Sequence, residues 1–223
     1  MTLPKAAELL AERAGRQTDL PFRLELQDML VYWRARLLAN TLERKSYQQK
    51  FFLQRIVVPL IKVAKNPCSV TPVADLDSCE LKLVSASTIP NTIRVGALPL
   101  KTVGGLLGET AFAYSPPNTE SWTMKHRGRV KQTRYGLIDR KLEIYNNLGL
   151  TKVAIVDIFA DPREVAKFTC AAAEGEVSCY NEELDEFPID EQTLQLCIQA
   201  ILTTELRLQP VEEKEEIKTD QNV

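Results

Sequence analysis

The stretch Thr151-Lys152-Val153-Ala154-Ile155-Val156-Asp157-Ile158-Phe159, followed by Ala160-Asp161-Pro162-Arg163-Glu164, decides the fold. Thr151–Phe159 is apolar at nearly every position. That pattern predicts a strand buried on both faces rather than one with a wet side. Asp161 to Glu164 reads as a helix start, with Asp161 as N-cap, Pro162 at the first helical position and Glu164 at the third. The predicted helix runs into Val165–Ala173 and stops near Gly175. A β-rich region therefore ends, and a helical one begins, between Phe159 and Asp161.

Upstream, prolines recur at 59, 67, 72, 90, 99, 116 and 117, and glycines at 96, 104, 105, 108, 128 and 136. Short β-branched runs lie between them: Arg55–Lys62, Cys79–Val84, Thr92–Ala97, Arg134–Asp139 and Leu142–Asn146. Such spacing predicts a β-domain with many turns, including a hairpin that reverses near Arg140. Before Phe52 the spacing is helical. Thr2 caps a short helix over Pro4–Ala14, and Gly15 is its stop. Asp19 caps a second helix, with Phe22, Leu26, Met29/Leu30, Trp33, Leu37 and Thr41 as its apolar stripe. It is expected to reach about Lys45, roughly 37 Å at 1.5 Å per residue. Arg23, Gln27, Arg34 and Arg44 are expected on its polar face.

Downstream, an acidic loop (Glu182, Glu183, Asp185, Glu186) leads to Asp190, which caps a last helix. Ile189 can staple onto Leu194, and Leu194, Cys197/Ile198, Ile201 and Leu202 form that helix's stripe. Beyond Leu208 the chain has little to bury, so it should order only against a partner. The fold class read from this order is α+β. N- and C-terminal helices pack together, with an inserted antiparallel β-sandwich or barrel-like lobe between them. The expected division is a helical domain over 1–50 and 160–208, an inserted β-domain over 51–159 and an extended tail over 209–223.

The 223 residues are 44% hydrophobic and 26% charged, ordinary values for a chain that builds its core without staples. No run approaches the ~18 apolar residues of a membrane span, and the N-terminus lacks a signal-peptide core, so a cytoplasmic origin and no membrane are expected. Five cysteines without a C-x2-C pair read as reduced, packed thiols rather than zinc ligands. The only histidine, His126, sits among Lys125, Arg127 and Arg129, which oppose its protonation, so it reads as part of a basic surface. Gly104-Gly105-Leu106-Leu107-Gly108 lacks the Lys-Ser/Thr ending of a phosphate loop and reads as a turn. No catalytic residues, metal ligands or cofactor are expected, and the chain is read as a non-enzyme.

The net charge of −2 hides an asymmetry: residues 1–160 carry a net +9 and residues 161–223 a net −11. Lys125–Lys141 holds seven cations against Asp139 alone. Lys125, Arg127, Arg129 and Lys131 alternate, so on extended chain they project to one side. With Arg134 they form the candidate basic patch, flanked by Trp122 and Tyr135. Three readings stand: a surface facing phosphates without reading bases, a solvated edge that deters strand addition, or a contact with the acidic region of another copy.

Several segments together carry a family resemblance. They are Thr2-Leu3-x-Lys5-Ala6-Ala7-Glu8-Leu9-Leu10; Ser87-Thr88-Ile89-Pro90-x-x-Ile93-Arg94; Phe112-x-Tyr114; Arg134-Tyr135-x-Leu137-x-Asp139; Ile144-Tyr145-Asn146-Asn147; Asp161-Pro162-x-Glu164-Val165; Cys179-Tyr180-Asn181; and Glu186-Phe187-Pro188-Ile189. In this order, over about residues 2–206, the chain resembles head-to-tail connector (adaptor or ring) proteins of crAss-like short-tailed bacteriophages. Tail tubular or gatekeeper adaptors share the plan. The resemblance implies a structural virion protein at the head–tail junction, assembled in the host cytoplasm. Copies of the chain, twelve in that pattern, would form a ring below the portal protein and carry other ring and tail proteins. Genomic DNA would pass through the channel without sequence readout. The C-terminal extension would contact the portal or another partner through Leu206, Leu208, Pro210, Val211 and Ile217. A DNA channel or a subunit contact would use Lys125, Arg127, Arg129, Lys131 and Arg134. The alternatives are a tail-terminator-like neck component, or a nucleic-acid-binding protein using the basic 125–141 segment.

Overall fold

A computed structural model describes residues 1–41, 52–65, 81–94, 98–106, 111–116, 132–168 and 180–207. Two helices open the chain, α1 (Leu3–Arg13) and α2 (Leu20–Thr41). Seven strands follow: β1 (Gln54–Ala64), β2 (Leu81–Ser85), β3 (Thr102–Gly104), β4 (Ala113–Tyr114), β5 (Arg134–Ile138), β6 (Lys141–Tyr145) and β7 (Lys152–Asp157). A short α3 (Pro162–Val165) and α4 (Glu191–Ala200) close the fold, and α4 runs directly into a π-helical turn, Ile201–Glu205.

The strands form one sheet in the order β3-β7-β1-β2-β6-β5-β4. All pairs are antiparallel except β4–β5, which is parallel. The sheet is therefore mixed where the sequence suggested a wholly antiparallel one. Residues 115–133 leave enough chain between Tyr114 and Arg134 to return the strand direction. The sheet curls until its end strands approach each other: the Phe112 N–H donates to the Val103 carbonyl at 2.7 Å. Inside the curl lie Ile56, Val58, Leu83, Tyr135, Leu142, Ile144, Val153 and Ile155, all nearly inaccessible. The fold is thus α+β with a barrel-like lobe.

β7 behaves as its composition demands. It lies between β1 and β3, with Ile155 opposite both Ile56 and Val103, and Val153, Ala154 and Ile155 are all buried. β1 is long because it has two partners in turn: Gln54–Pro59 pair with β7, and Leu60–Ala64 pair with β2. The β5–β6 hairpin turns through Asp139 and Arg140, both at positive φ (49° and 60°). That handedness matches the twist of the strands.

A separate helical core joins α1, α2 and α4 through Leu3, Leu10, Leu26, Leu30, Trp33, Leu194, Cys197 and Ile201. Leu38, Phe52, Ile93 and Ile158 form a small third cluster where α2 meets the sheet. Each such side chain stabilises by roughly 1.5–3 kcal/mol when fully buried.

Several sequence expectations are corrected. Arg34 is not on a polar face but fully buried. Tyr135, read as flanking the basic patch, is only 2% exposed, and its hydroxyl donates to the Leu100 carbonyl at 3.0 Å. Thr92–Ala97 is no strand over its described part; Thr92 makes only an isolated bridge to Phe159. The helix after Asp161 ends at Val165 and continues as turns to Phe168, with 169–173 outside the described residues. Strands β3 and β4, of three and two residues, were too short to leave a periodic signal.

Candidate functional site

Helix boundaries position the groups that join the helical core to the sheet. Asp161 accepts from the Arg163 N–H at 2.8 Å, the capping bond the sequence predicts. Its other oxygen meets the Arg163 guanidinium at 3.0 Å, and Arg163 reaches across to Asp28 of α2 at 2.7 Å. The two carboxylates hold the Arg163 guanidinium firmly protonated, with its pKa raised. Asp190 caps α4 by accepting from the Thr193 N–H at 2.8 Å.

Arg34 lies behind this bridge. Its Nε donates to the Pro188 carbonyl at 2.8 Å and its Nη1 to the Phe159 carbonyl at 2.8 Å. Its guanidinium also lies over the Phe187 ring, 5.7 Å from the centroid. One side chain thus ties α2 to the end of β7 and to the loop before α4. Burial lowers its pKa to about 10, so it stays charged at neutral pH. Sequence reasoning missed this role, although a signal existed. Arg34 is four residues from both Leu30 and Leu38, so it sits in the buried row of the helix.

The predicted basic patch divides. Lys125, Arg127, Arg129 and Lys131, with Trp122, lie outside the described residues. Arg134 is 5% exposed, on β5 opposite Tyr145. Arg140 and Lys141, at the hairpin turn, are exposed. Of the predicted partner tail, Leu206 is half-buried against the helical core and closes the π-helical turn through its N–H to the Ile201 carbonyl at 3.0 Å. Leu208, Pro210, Val211 and Ile217 lie outside the described residues.

Two further groups are electrostatically unusual. Asp157 accepts from the Ile158 N–H at 2.7 Å and the Lys101 N–H at 3.0 Å, yet burial still pushes its pKa up to about 6. Burial likewise raises the Cys197 thiol to about 12. On β6, Glu143 takes Lys82 Nζ at 2.6 Å and the Tyr145 hydroxyl at 2.5 Å, a network packed into the sheet. Among the described residues, no three His, Cys, Asp or Glu side chains gather as metal ligands would, and no helix is long and apolar enough to cross a membrane. Arg34 and Arg163 lie at the junction of helices and sheet, and Asp157 and Cys197 lie in the packed interior.

What the arrangement offers is surface: an acidic helical base, and a barrel-like lobe that carries the basic segment between β4 and β5. No curated protein matches the chain. A family model described as phage tail ring protein 2 (CrAss_Ring_2) matches residues 22–222, which takes in α2 from Phe22 on, the whole sheet and the closing helices. The chain belongs to the phage tail ring protein 2 family of crAss-like phages.

Proposed function

We propose that the chain is a structural virion protein that assembles into a ring below the portal, connects head to tail and extends the DNA channel. The family match over residues 22–222 carries this reading. The charge division supports it. A ring whose subunits meet head to tail needs two different, complementary surfaces on each copy, and the chain carries a net +9 region and a net −11 region. On this reading the helical domain is 1–50 with 160–208, the β-domain 51–159 is an insertion, and 209–223 is the tail that reaches the portal or another partner. Leu206 anchors that tail, and Leu208, Pro210, Val211 and Ile217 supply its apolar contacts. Twelve copies are expected, with genomic DNA passing through without sequence readout and no catalytic step.

The test is assembly. Purified chain mixed with purified portal ring should give a stacked ring by electron microscopy, in register at the head–tail junction of the particle. A chain absent from that junction, or one that forms no ring with or without portal, would overturn the reading.

A further inference from the structure

A cavity of about 140 Å³ is walled by the β5–β6 turn, by residues 89–94 and by the segment before β3. Ile89, Pro90, Pro99, Leu100 and Leu137 form its apolar walls, and Ile89 and Leu100 are almost fully buried. Asn91, Thr92, Arg94 and Arg140 form its polar lining. Among the described residues, no carboxylate lines it. Hydrogen bonds fix the frame. The Ile89 N–H donates to the Arg140 carbonyl at 2.8 Å, and Thr92 Oγ1 donates to the Pro99 carbonyl at 3.4 Å. The volume is below the ~300–1,000 Å³ typical of nucleotide- or cofactor-sized sites, so the occupant is small.

Two guanidiniums line this one cavity without a counter-ion. Arg94 and Arg140 are both exposed, and neither forms an ion pair with a described residue. Arg140 Nη1 donates only to the neutral Asn91 Oδ1, at 3.2 Å. Glu164 accepts from the Asn91 N–H at 3.3 Å and pairs with neither arginine. Arg140 is also held at φ 60°, a left-handed conformation that glycine takes freely and arginine does not. Strain kept at a residue whose side chain lines a cavity points to a use beyond folding.

Charge and lining select the occupant. Guanidiniums bind oxyanions, carboxylate or phosphate, through charge-assisted hydrogen bonds. A DNA duplex brings several phosphates at once and calls for a run of cations. Two cations above apolar walls suit a single anion on an apolar stem, and a glutamate side chain is a carboxylate on such a stem. We propose that this pocket receives a glutamate side chain from an acidic segment of a second protein chain. Arg94 and Arg140 hold its carboxylate, and its methylenes lie against Ile89 and Leu137. The pairing does not depend on the ring reading, and its failure would leave that reading untouched.

The probe is N-acetyl-glutamate amide, titrated into the isotope-labelled full chain and followed by NMR. The Asn91 and Thr92 amide signals and the Arg140 Nε–H signal should shift together and saturate in the millimolar range. N-acetyl-glutamine amide, which has the same shape without the charge, should bind at least about tenfold more weakly. Arg94→Gln and Arg140→Gly should each weaken binding at least about tenfold. No hydrogen bond or ion pair joins the Arg94 side chain to a described residue, and glycine suits the turn at 140, so both variants should keep wild-type circular dichroism. Loss of binding with the fold intact is a result that a merely structural arginine would not give. No saturable shift at these signals, or binding indifferent to both substitutions, would overturn the proposal. Tighter binding of dimethyl phosphate at the same signals would assign the pocket to a nucleic-acid backbone and overturn it as well.

Discussion

Arg34 is held by carbonyls rather than by a carboxylate, so its removal exposes a choice between two costs. Without it the carbonyls of Phe159 and Pro188 lose their donors, about 1–3 kcal/mol for each group left unpaired. Against that, a desolvated charge disappears. Carbonyl pairing dominates, and Arg34→Met should lower unfolding free energy by about 2 kcal/mol in urea titration; equal or greater stability would mean that desolvation dominates. Asp157 tests the opposite sign. Its folded pKa, about 6, is raised from the ordinary 3.8. Its contribution is therefore full below about pH 4, falls as pH rises to about 6, and is flat above that. Melting temperatures across this window should show a component that Asp157→Asn lacks, even though Asn supplies one acceptor oxygen where Asp uses two. Cys197 should react with thiol reagents only after unfolding, since it is fully buried and its thiol is pushed up to about 12.

At the scale of the element, the aspartate caps and the hairpin turn are where sequence and structure agree most closely, whereas Thr2 precedes α1 without a side-chain capping bond. Asp161 and Asp190 make the bonds their spacing predicts, because a cap depends on local chain alone. Asp161→Ala should cost about 1 kcal/mol by thermal melting, and Asp161→Asn less. β7 was legible because composition alone says that both its faces are covered. The hairpin was legible in place but not in kind: its turn uses Asp139 and Arg140 at positive φ without glycine. Arg140→Gly should therefore raise stability by about 1 kcal/mol, relieving a left-handed residue at the loss of one exposed bond to Asn91. The junction was legible only in part: spacing from Leu30 and Leu38 puts Arg34 in the buried row of α2, but its partners, the Phe159 and Pro188 carbonyls, lie far along the chain and leave no local signal. β4 and the parallel pairing depend on a return path that no local pattern encodes.

For the whole molecule, the composition of residues 209–223, with few apolar side chains, gives that segment little to bury. A chain ending at residue 208 should accordingly melt at the temperature of the full chain, while losing its place on the portal if the tail is the contact proposed. A large drop in melting temperature on truncation would instead make residues 209–223 part of the fold. The family match gives a structural tail ring role, and the chain carries a net +9 region followed by a net −11 region along its sequence. β1 adds a mechanical consequence. Because Gln54–Pro59 are laced to β7 and Leu60–Ala64 to β2, a pull along this strand loads both ladders in shear at once. Neither neighbour can be unzipped alone by tension on β1, so the lobe resists stretching along that axis better than peeling at its two short edge strands.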